Sequence, residues 1–415
     1  MSSAWKPLEG SAQAVALEVL VYGPLARSEL ARRVGLSQAS LTRLANPLVA
    51  SGLLVEVEAA SDGTRMGRPT RPLDIVPTSH HFVGVKLTGD AAYGVVTTLR
   101  AELVATCTEA LPDHDPATVV SVVARLVAKL SAEVPDVAGL GVSLGGSTSD
   151  SFVVASAPWL GWTGVPLASL LGAATHLPVV VENDLAALTE AERWFGAGRT
   201  NETFALLTIG AGVGYGLVVQ HRRVTHEEAR IGLIGHQVLD ESGPRCAAGH
   251  RGCASAMLTT GGIQGAVSAA LGRWVEYDEA LALVRAGDPV AEAVFGDAGR
   301  ALGRLVATIA NFTLVQTVVL GGEGVALAEI AAAQMEGGLA ACRDPQAAPV
   351  TLLVRAGDFT EWARGAAVVA IQAFVMATDK DQTSRGVPAV DRRARAAHPV
   401  RERQGSGGTS VKVIA

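Results

Sequence analysis

The chemistry-bearing residues of the chain gather in a helix-forming stretch near its start and a cysteine-bearing loop past its middle. In SELARRVGLSQASLTRLANPLVASGLL (28–54), Ser28 can cap a helix whose inward face is Leu30, Ala31 and Val34. Gly35 supplies a turn, Leu36 plugs it and Ser37 caps a second helix. On that second helix Leu41, Leu44 and Leu48 recur on one face, which leaves Gln38, Ser40, Thr42 and Arg43 outside near its N-terminal end. Arg suits guanine edges, Gln suits adenine, and Ser or Thr suits phosphates or either base. Pro47 falls beyond those turns, so it shapes the helix end without blocking the reading face.

Two short strands follow, LLVEVE (53–58) and LDIV (73–76), around a polar loop that carries Arg65 and Arg68, with Arg71 at its edge. Such a wing can place arginines on the backbone or in the minor groove of double-stranded DNA. An ordinary helical hairpin with a solvated face would share the charges, but not the capped turn followed by a wing. The cysteines are Cys107, Cys246, Cys253 and Cys342. A cytosolic chain of this size needs no disulfide framework, so the close pair Cys246 and Cys253 reads as a metal site.

The elements that must hold these groups come next. With 415 residues, 49% hydrophobic and 18% charged, the chain is a well-cored globular protein of two or three domains. No apolar run reaches the roughly 18 residues of a membrane helix, and no signal pattern opens the sequence, so a cytoplasmic location and no membrane partner are expected. The net charge of −6 is unevenly spread: residues 81–380 carry 19 Lys/Arg against 30 Asp/Glu, while 1–80 are nearly balanced and 381–415 are basic. Nucleic-acid contact is therefore expected from the ends and not from the acidic body. From about residue 81 the pattern becomes α/β, with buried-strand runs such as FVGV, GLGVS, PVVV, FALLTI and TVVLGG separated by helical runs. The segments opening at Phe82 and Phe204 both read strand, glycine turn, strand, which suggests two duplicated lobes. We expect a head over 1–77, a body over 78–380 and an unstructured basic tail over 381–415.

Several ordered motifs then resemble the ROK family (repressors, open reading frames and kinases), in its repressor-type branch. VENDLAALTEAERWFGAGR (181–199) resembles the segment of the catalytic Asp, and TIGAGVGYG (208–216) the second phosphate loop. GLIGH (232–236) with CAAGHRGC (246–253) resembles the zinc signature, and VVLGGEGV (318–325) the nucleotide-side glycine turn. The resemblance implies a winged helix-turn-helix joined to a two-lobed actin/hexokinase-like body, assembled as a homodimer or homotetramer. It places Asp184 on the general base, Asn183 on a sugar contact, and His236 on a zinc or sugar ligand. It also implies a zinc held by His236, Cys246 and Cys253; the middle Cys of the family is Ala248 here, so either His250 or water completes the shell or the site is a metal-free loop.

The same resemblance shows what is missing. In Val85-Lys86-Leu87-Thr88-Gly89-Asp90, Lys86 stands for the first phosphate loop's Asp, Thr88 for a Gly and Asp90 for a Thr. On the sugar side, Leu233, Ser255 and Trp159 stand where two Glu and an Asn are expected. Asp184 is then vestigial, and the expected function is a DNA-binding regulator without kinase activity, bound to an operator and answering a sugar-like effector. A scaffold that only dimerises the reading heads is a second reading, and an active sugar kinase with an appended head is a third.

Overall fold

The computed structural model describes residues 8–58, 71–134, 136–226, 232–355, 358–375 and 411–413. Arg65 and Arg68 lie outside the described residues, as does most of the basic tail. The head consists of α1 (Gly10–Tyr22), α2 (Arg27–Arg33), α3 (Gln38–Ala50) and an antiparallel pair, β1 (Leu54–Glu56) with β2 (Leu73–Ile75). This is the element order of a winged helix-turn-helix. α1 stops at Gly23, and Gly35, at φ +67, makes the α2–α3 turn in a conformation that strains other residues. Ser37 caps α3 as expected, its hydroxyl accepting from the Ser40 N–H at 3.2 Å.

Two local expectations are corrected. α2 begins at Arg27, so Ser28 lies in its first turn and makes no cap. The backbone bridge from Leu25 to Leu73 sets where the extended chain ends, and the helix starts directly after it. On α3 the buried face is Leu41, Ala45 and Leu48, with Leu44 half-buried.

After a 3-10 turn at Pro77–Ser79 the first lobe begins. Its strands are β3 (His81–Leu87), β4 (Ala91–Thr98), β5 (Leu103–Ala110), β6 (Val137–Leu144), a small sheet of β7 (Ser147–Ser149), β8 (Val153–Ala157) and β9 (Trp162–Val165), and β10 (Val179–Asn183). Helices α4 (Pro116–Glu133), α5 (Leu167–Thr175) and α6 (Asp184–Phe195) connect them. The main sheet runs β10-β6-β3-β4-β5; β3, β4 and β5 form an antiparallel meander, and β6 and β10 join in parallel.

The second lobe repeats this order. β11 (Phe204–Ile209), β12 (Val213–Val219) and β13 (Arg222–Arg223) form the meander. Helices α7 (Ala254–Leu258), α8 (Thr260–Leu271), α9 (Tyr277–Arg285) and α10 (Pro289–Thr313) precede β14 (Thr317–Gly321). α11 (Ala326–Ile330) and α12 (Ala332–Ala341) lead to β15 (Thr351–Val354), so the sheet runs β13-β12-β11-β14-β15. The echo between Phe82 and Phe204 is thus a duplication of sheet topology, with each aromatic residue fully buried near the start of its founding strand. β11 and β14, flanked on both sides by other strands, are buried along their whole length, as their unbroken apolar runs require. Part of the tail departs from expectation: β16 (Val411–Val413) pairs in parallel with β15.

The last helix among the described residues, α13 (Phe359–Phe374), ties the first lobe to the head. Gly84 and Gly141 are register partners on β3 and β6, and a Cβ on either would overlap the α13 backbone at Ala363 and Ala366. The pair therefore lets the helix backbone approach the sheet more closely than side chains allow. The same helix supplies Ala367, Ala370 and Ile371 to one cluster with Val15, Leu20, Leu30, Leu41 and Leu73 of the head and Phe82, Leu99 and Trp194 of the lobe. Arg100, in the β4–β5 turn, pairs with Asp74 on β2 and donates to the Val19 carbonyl of α1. The change at residue 77 is one of architecture and not a gap in packing. Removing Arg100 leaves a half-buried carboxylate without its cation, so Arg100→Ala should lower the unfolding free energy by about 1–3 kcal/mol. Urea denaturation followed by tryptophan fluorescence reads this, and an unchanged midpoint would show that the latch contributes nothing.

Candidate functional site

The first candidate surface is α3. Gln38, Thr42 and Arg43 are exposed, and Ser40 is half-buried with its hydroxyl 3.0 Å from that of Ser37. Thr42 donates its hydroxyl to the Gln38 carbonyl at 2.9 Å, which leaves its methyl and oxygen lone pairs outward. Pro47 falls in the last turns of the helix, C-terminal to these four residues. The face foreseen from the sequence is therefore assembled on one rigid, capped helix.

The second lies at the end of β3. Lys86 is 5% exposed, on a strand buried from Phe82 onward, and its ammonium forms an ion pair with the Asp184 carboxylate at the first position of α6. The same ammonium sits 5.3 Å from the centre of the Trp362 ring on α13, a cation–π contact. A buried cation must be matched by a counter-charge, and Asp184 supplies it. Asn183 is engaged twice within the lobe: its Oδ1 caps α6 at the Ala186 N–H (3.0 Å), and its Nδ2 donates to the Gly146 carbonyl (2.8 Å). Trp159, in the place expected of an Asn, is 68% exposed and lies beside Gly145, as does Asp184. In the first turn Thr88 donates to Asp90 at 2.7 Å, so this turn is closed on its own side chains.

The sequence shows Lys86 as an exchanged residue but not its partner, which is remote along the chain. The signal lies in the strand register: Leu87 aligns with Leu144, and Leu144 with Asn183. This alignment brings the end of β3 to the start of α6. Trp362 carries no such signal.

The third is a histidine–cysteine cluster in the second lobe. Donor atoms of His236, Cys246 and His250 all lie within 4.8 Å of one another, with the two imidazole Nδ1 atoms 3.1 Å apart. Cys253 is fully buried and its thiol hydrogen-bonds with Cys246. Desolvation pushes the Cys246 thiol up, but hydrogen bonds from Cys253 and from the backbone of His250 and Ala248 prevail and hold it at about 6. Burial pushes the Cys253 thiol up. Of the three ligands foreseen, His236 and Cys246 fall inside the tight group and Cys253 adjoins it, while His250 takes the place that Ala248 cannot fill. Two imidazoles and a thiolate form a donor set that suits a soft divalent metal.

Two sheets of one order, each founded on a hairpin, with a helical head packed on the first, define a protein of the duplicated actin/hexokinase-like class. The ROK family profile matches residues 82–373, and the chain belongs to the ROK family. It is similar to the xylose repressor of Bacillus subtilis (strain 168), 24% identical over 243 residues, or 57% of this chain and 62% of that protein. The chain therefore spans less than two thirds of the length of that relative. It is also similar to the DNA-binding transcriptional dual regulator NagC of Escherichia coli (strain K12), 26% identical over 319 residues, 73% of this chain and 77% of that one. The crystal structure of a ROK family transcriptional regulator, a homologue of the E. coli Mlc protein, superposes with a TM-score of 0.73 at 22% identity, covering 91% of this chain and 100% of its own. That likeness establishes the fold. No helix among the described residues is long and apolar enough to cross a membrane.

The ion pair at Lys86 yields a prediction. Replacing only the cation strands a poorly solvated carboxylate, so Lys86→Met should destabilise the protein by about 2–4 kcal/mol. Adding Asp184→Asn should restore at least half of that loss, because the two residues act as one unit. Chemical denaturation of the four proteins in the cycle measures the coupling; additive losses would show that the residues do not interact.

Proposed function

We propose that the protein is a DNA-binding transcriptional repressor that acts in the cytoplasm at the nucleoid. In this reading the head binds an operator, the body assembles as a homodimer or homotetramer, and a sugar-like small molecule biases operator affinity. The observation that carries it is the outward face of α3, where Gln38, Thr42 and Arg43 stand exposed on a helix whose other face belongs to the core of the head. The wing arginines, Arg65 and Arg68, are assigned to the DNA backbone or minor groove. A two-fold assembly presents such helices about one DNA turn apart, so the operator is an inverted repeat. Allostery requires that effector and operator prefer different conformations, and Asn183, Asp184 and His236 are each assigned an effector-contacting role.

The Lys86–Asp184 pair supports an inactive kinase centre. A general base bound to a lysine is not free to take a hydroxyl proton, and a cation stands where a carboxylate would support Mg²⁺. Sugar-dependent ADP release that vanishes in Asp184→Asn would establish the rival reading, an active sugar kinase with an appended DNA-binding head.

For DNA, Arg43→Ala should weaken operator binding by about 1–3 kcal/mol and relax specificity at one base position. Fluorescence anisotropy at fixed salt tests this; equal affinity of the unaltered protein for specific and random duplexes would overturn it. For the metal, the fit of the donor set supports one zinc per chain, held by His236, Cys246 and His250 with Cys253 at hand as the fourth ligand. A bound zinc would clamp the loop 246–253 to the turn that carries His236. His250→Ala should bring the zinc content of purified protein well below one per chain, and elemental analysis decides it. Full zinc in that variant would assign the shell without His250.

A further inference from the structure

The glycine loop between β11 and β12 (Gly210, Ala211, Gly212) has the form of a phosphate cradle, with small residues and an outward backbone N–H. Gly210 donates across the turn to the Gly212 carbonyl at 3.0 Å, and the Ala211 N–H takes no part in that bond. That N–H donates to the carboxylate Oε1 of Glu323 at 2.6 Å. A Cβ on Gly210 would overlap the same carboxyl group, so the Glu323 carboxylate lies directly against the turn. Its position is fixed by the backbone around it. Gly322, at φ +91, abuts Ile209, and the Gly324 N–H donates to the Ile209 carbonyl at 2.8 Å. Glu323 is thus the single side chain of the turn Gly321–Gly324, and that turn is pressed onto the end of β11.

We propose that Glu323 is a built-in anion: its carboxylate occupies the backbone cradle of the second glycine loop and excludes the phosphates of a nucleotide from it. The inference rests on the reading of the protein as a regulator without kinase activity, and adds a device located in the second lobe alone. A short charge-assisted bond to a backbone N–H is the contact that a phosphate oxygen would make at this loop. An intramolecular carboxylate competes at high effective concentration, and any phosphate entering beside it meets a like charge. The Tyr277 hydroxyl, which feels the charge of Glu323, is pushed up to about 12 by burial and by the negative charges of Asp278 and Glu323, and so stays neutral.

Calorimetric titration of the full-length protein with ADP tests this in the unaltered protein, Glu323→Gln and Glu323→Ala. Thermal melts confirm that each variant is folded. The expected result is a Kd for ADP at least tenfold lower in Glu323→Ala than in the unaltered protein, with Glu323→Gln between them because it loses the charge and keeps the shape. If Glu323→Ala does not fold, Glu323→Gln decides, with any gain over the unaltered protein supporting the plug. ADP affinity that is equal in all folded proteins overturns the proposal. Operator binding by the same variants keeps the two readings apart. A regulator whose ADP affinity does not change has lost only the plug, whereas sugar-dependent ADP release by the unaltered protein removes the regulator reading itself.

Discussion

The close approach of α13 to the first sheet is the constraint on which the rest of that half of the molecule depends. Gly84 and Gly141 remove the two side chains that would hold the helix off, and the alanines at 363, 366, 367 and 370 complete a shallow contact on the helix side. A helix seated so deeply presents its other residues to the head, where Ile371, and Val375 just past the helix end, join Leu20, Leu30 and Leu41 in one core. It also brings Trp362 over Lys86, so the helix that secures the head also covers the Lys86–Asp184 pair. A large residue at either glycine would displace the helix and disturb both.

The pair under that helix shows how a carboxylate can carry a structural load. A carboxylate that serves as a general base must keep its lone pairs for an incoming hydroxyl. Here Asp184 accepts from Lys86 and from the Leu185 N–H, while Asn183 beside it holds the start of α6. Each polar atom has acquired an internal partner. The retained motif reflects the needs of the fold: the β10–α6 corner requires an N-cap, and the lysine requires an anion.

Much of this was legible in the sequence, and the rest failed for definite reasons. Unbroken apolar runs such as FALLTI gave the inner strands, because only a strand covered on both faces tolerates them. Ser37 and Gly35 gave the turn before α3, since capping and positive φ are local properties. Ser28 misled because Leu25, bridged to Leu73 across the head, determines where α2 begins. The choice between Leu44 and Ala45 depends on a helix phase that two leucines of similar spacing do not settle. The Lys86–Asp184 pair, the facing glycines on β3 and β6 and the contact of Glu323 with Ala211 all join residues distant along the chain. Strand order alone brings them together. His250, two residues beyond Ala248, was legible as one candidate to complete the shell, because a missing cysteine close to a histidine is a readable substitution.

The junction between head and lobe has a further meaning. Between the end of β2 and the start of β3 the chain makes one 3-10 turn, with the Leu99 N–H donating to the Pro77 carbonyl and the Val76 N–H to the Leu53 carbonyl. A reading helix on a soft tether samples many orientations, and most of that freedom is lost when it docks. Here the orientation is already set when the chain folds, so docking begins from a narrow distribution and little orientational entropy remains to be surrendered. The same stiffness removes slack: on the proposed reading of a two-fold regulator, a head that cannot swivel would not accommodate a half-site displaced by a base pair or two. Tolerance for operator spacing would then be a mechanical property of the lobe that carries the head.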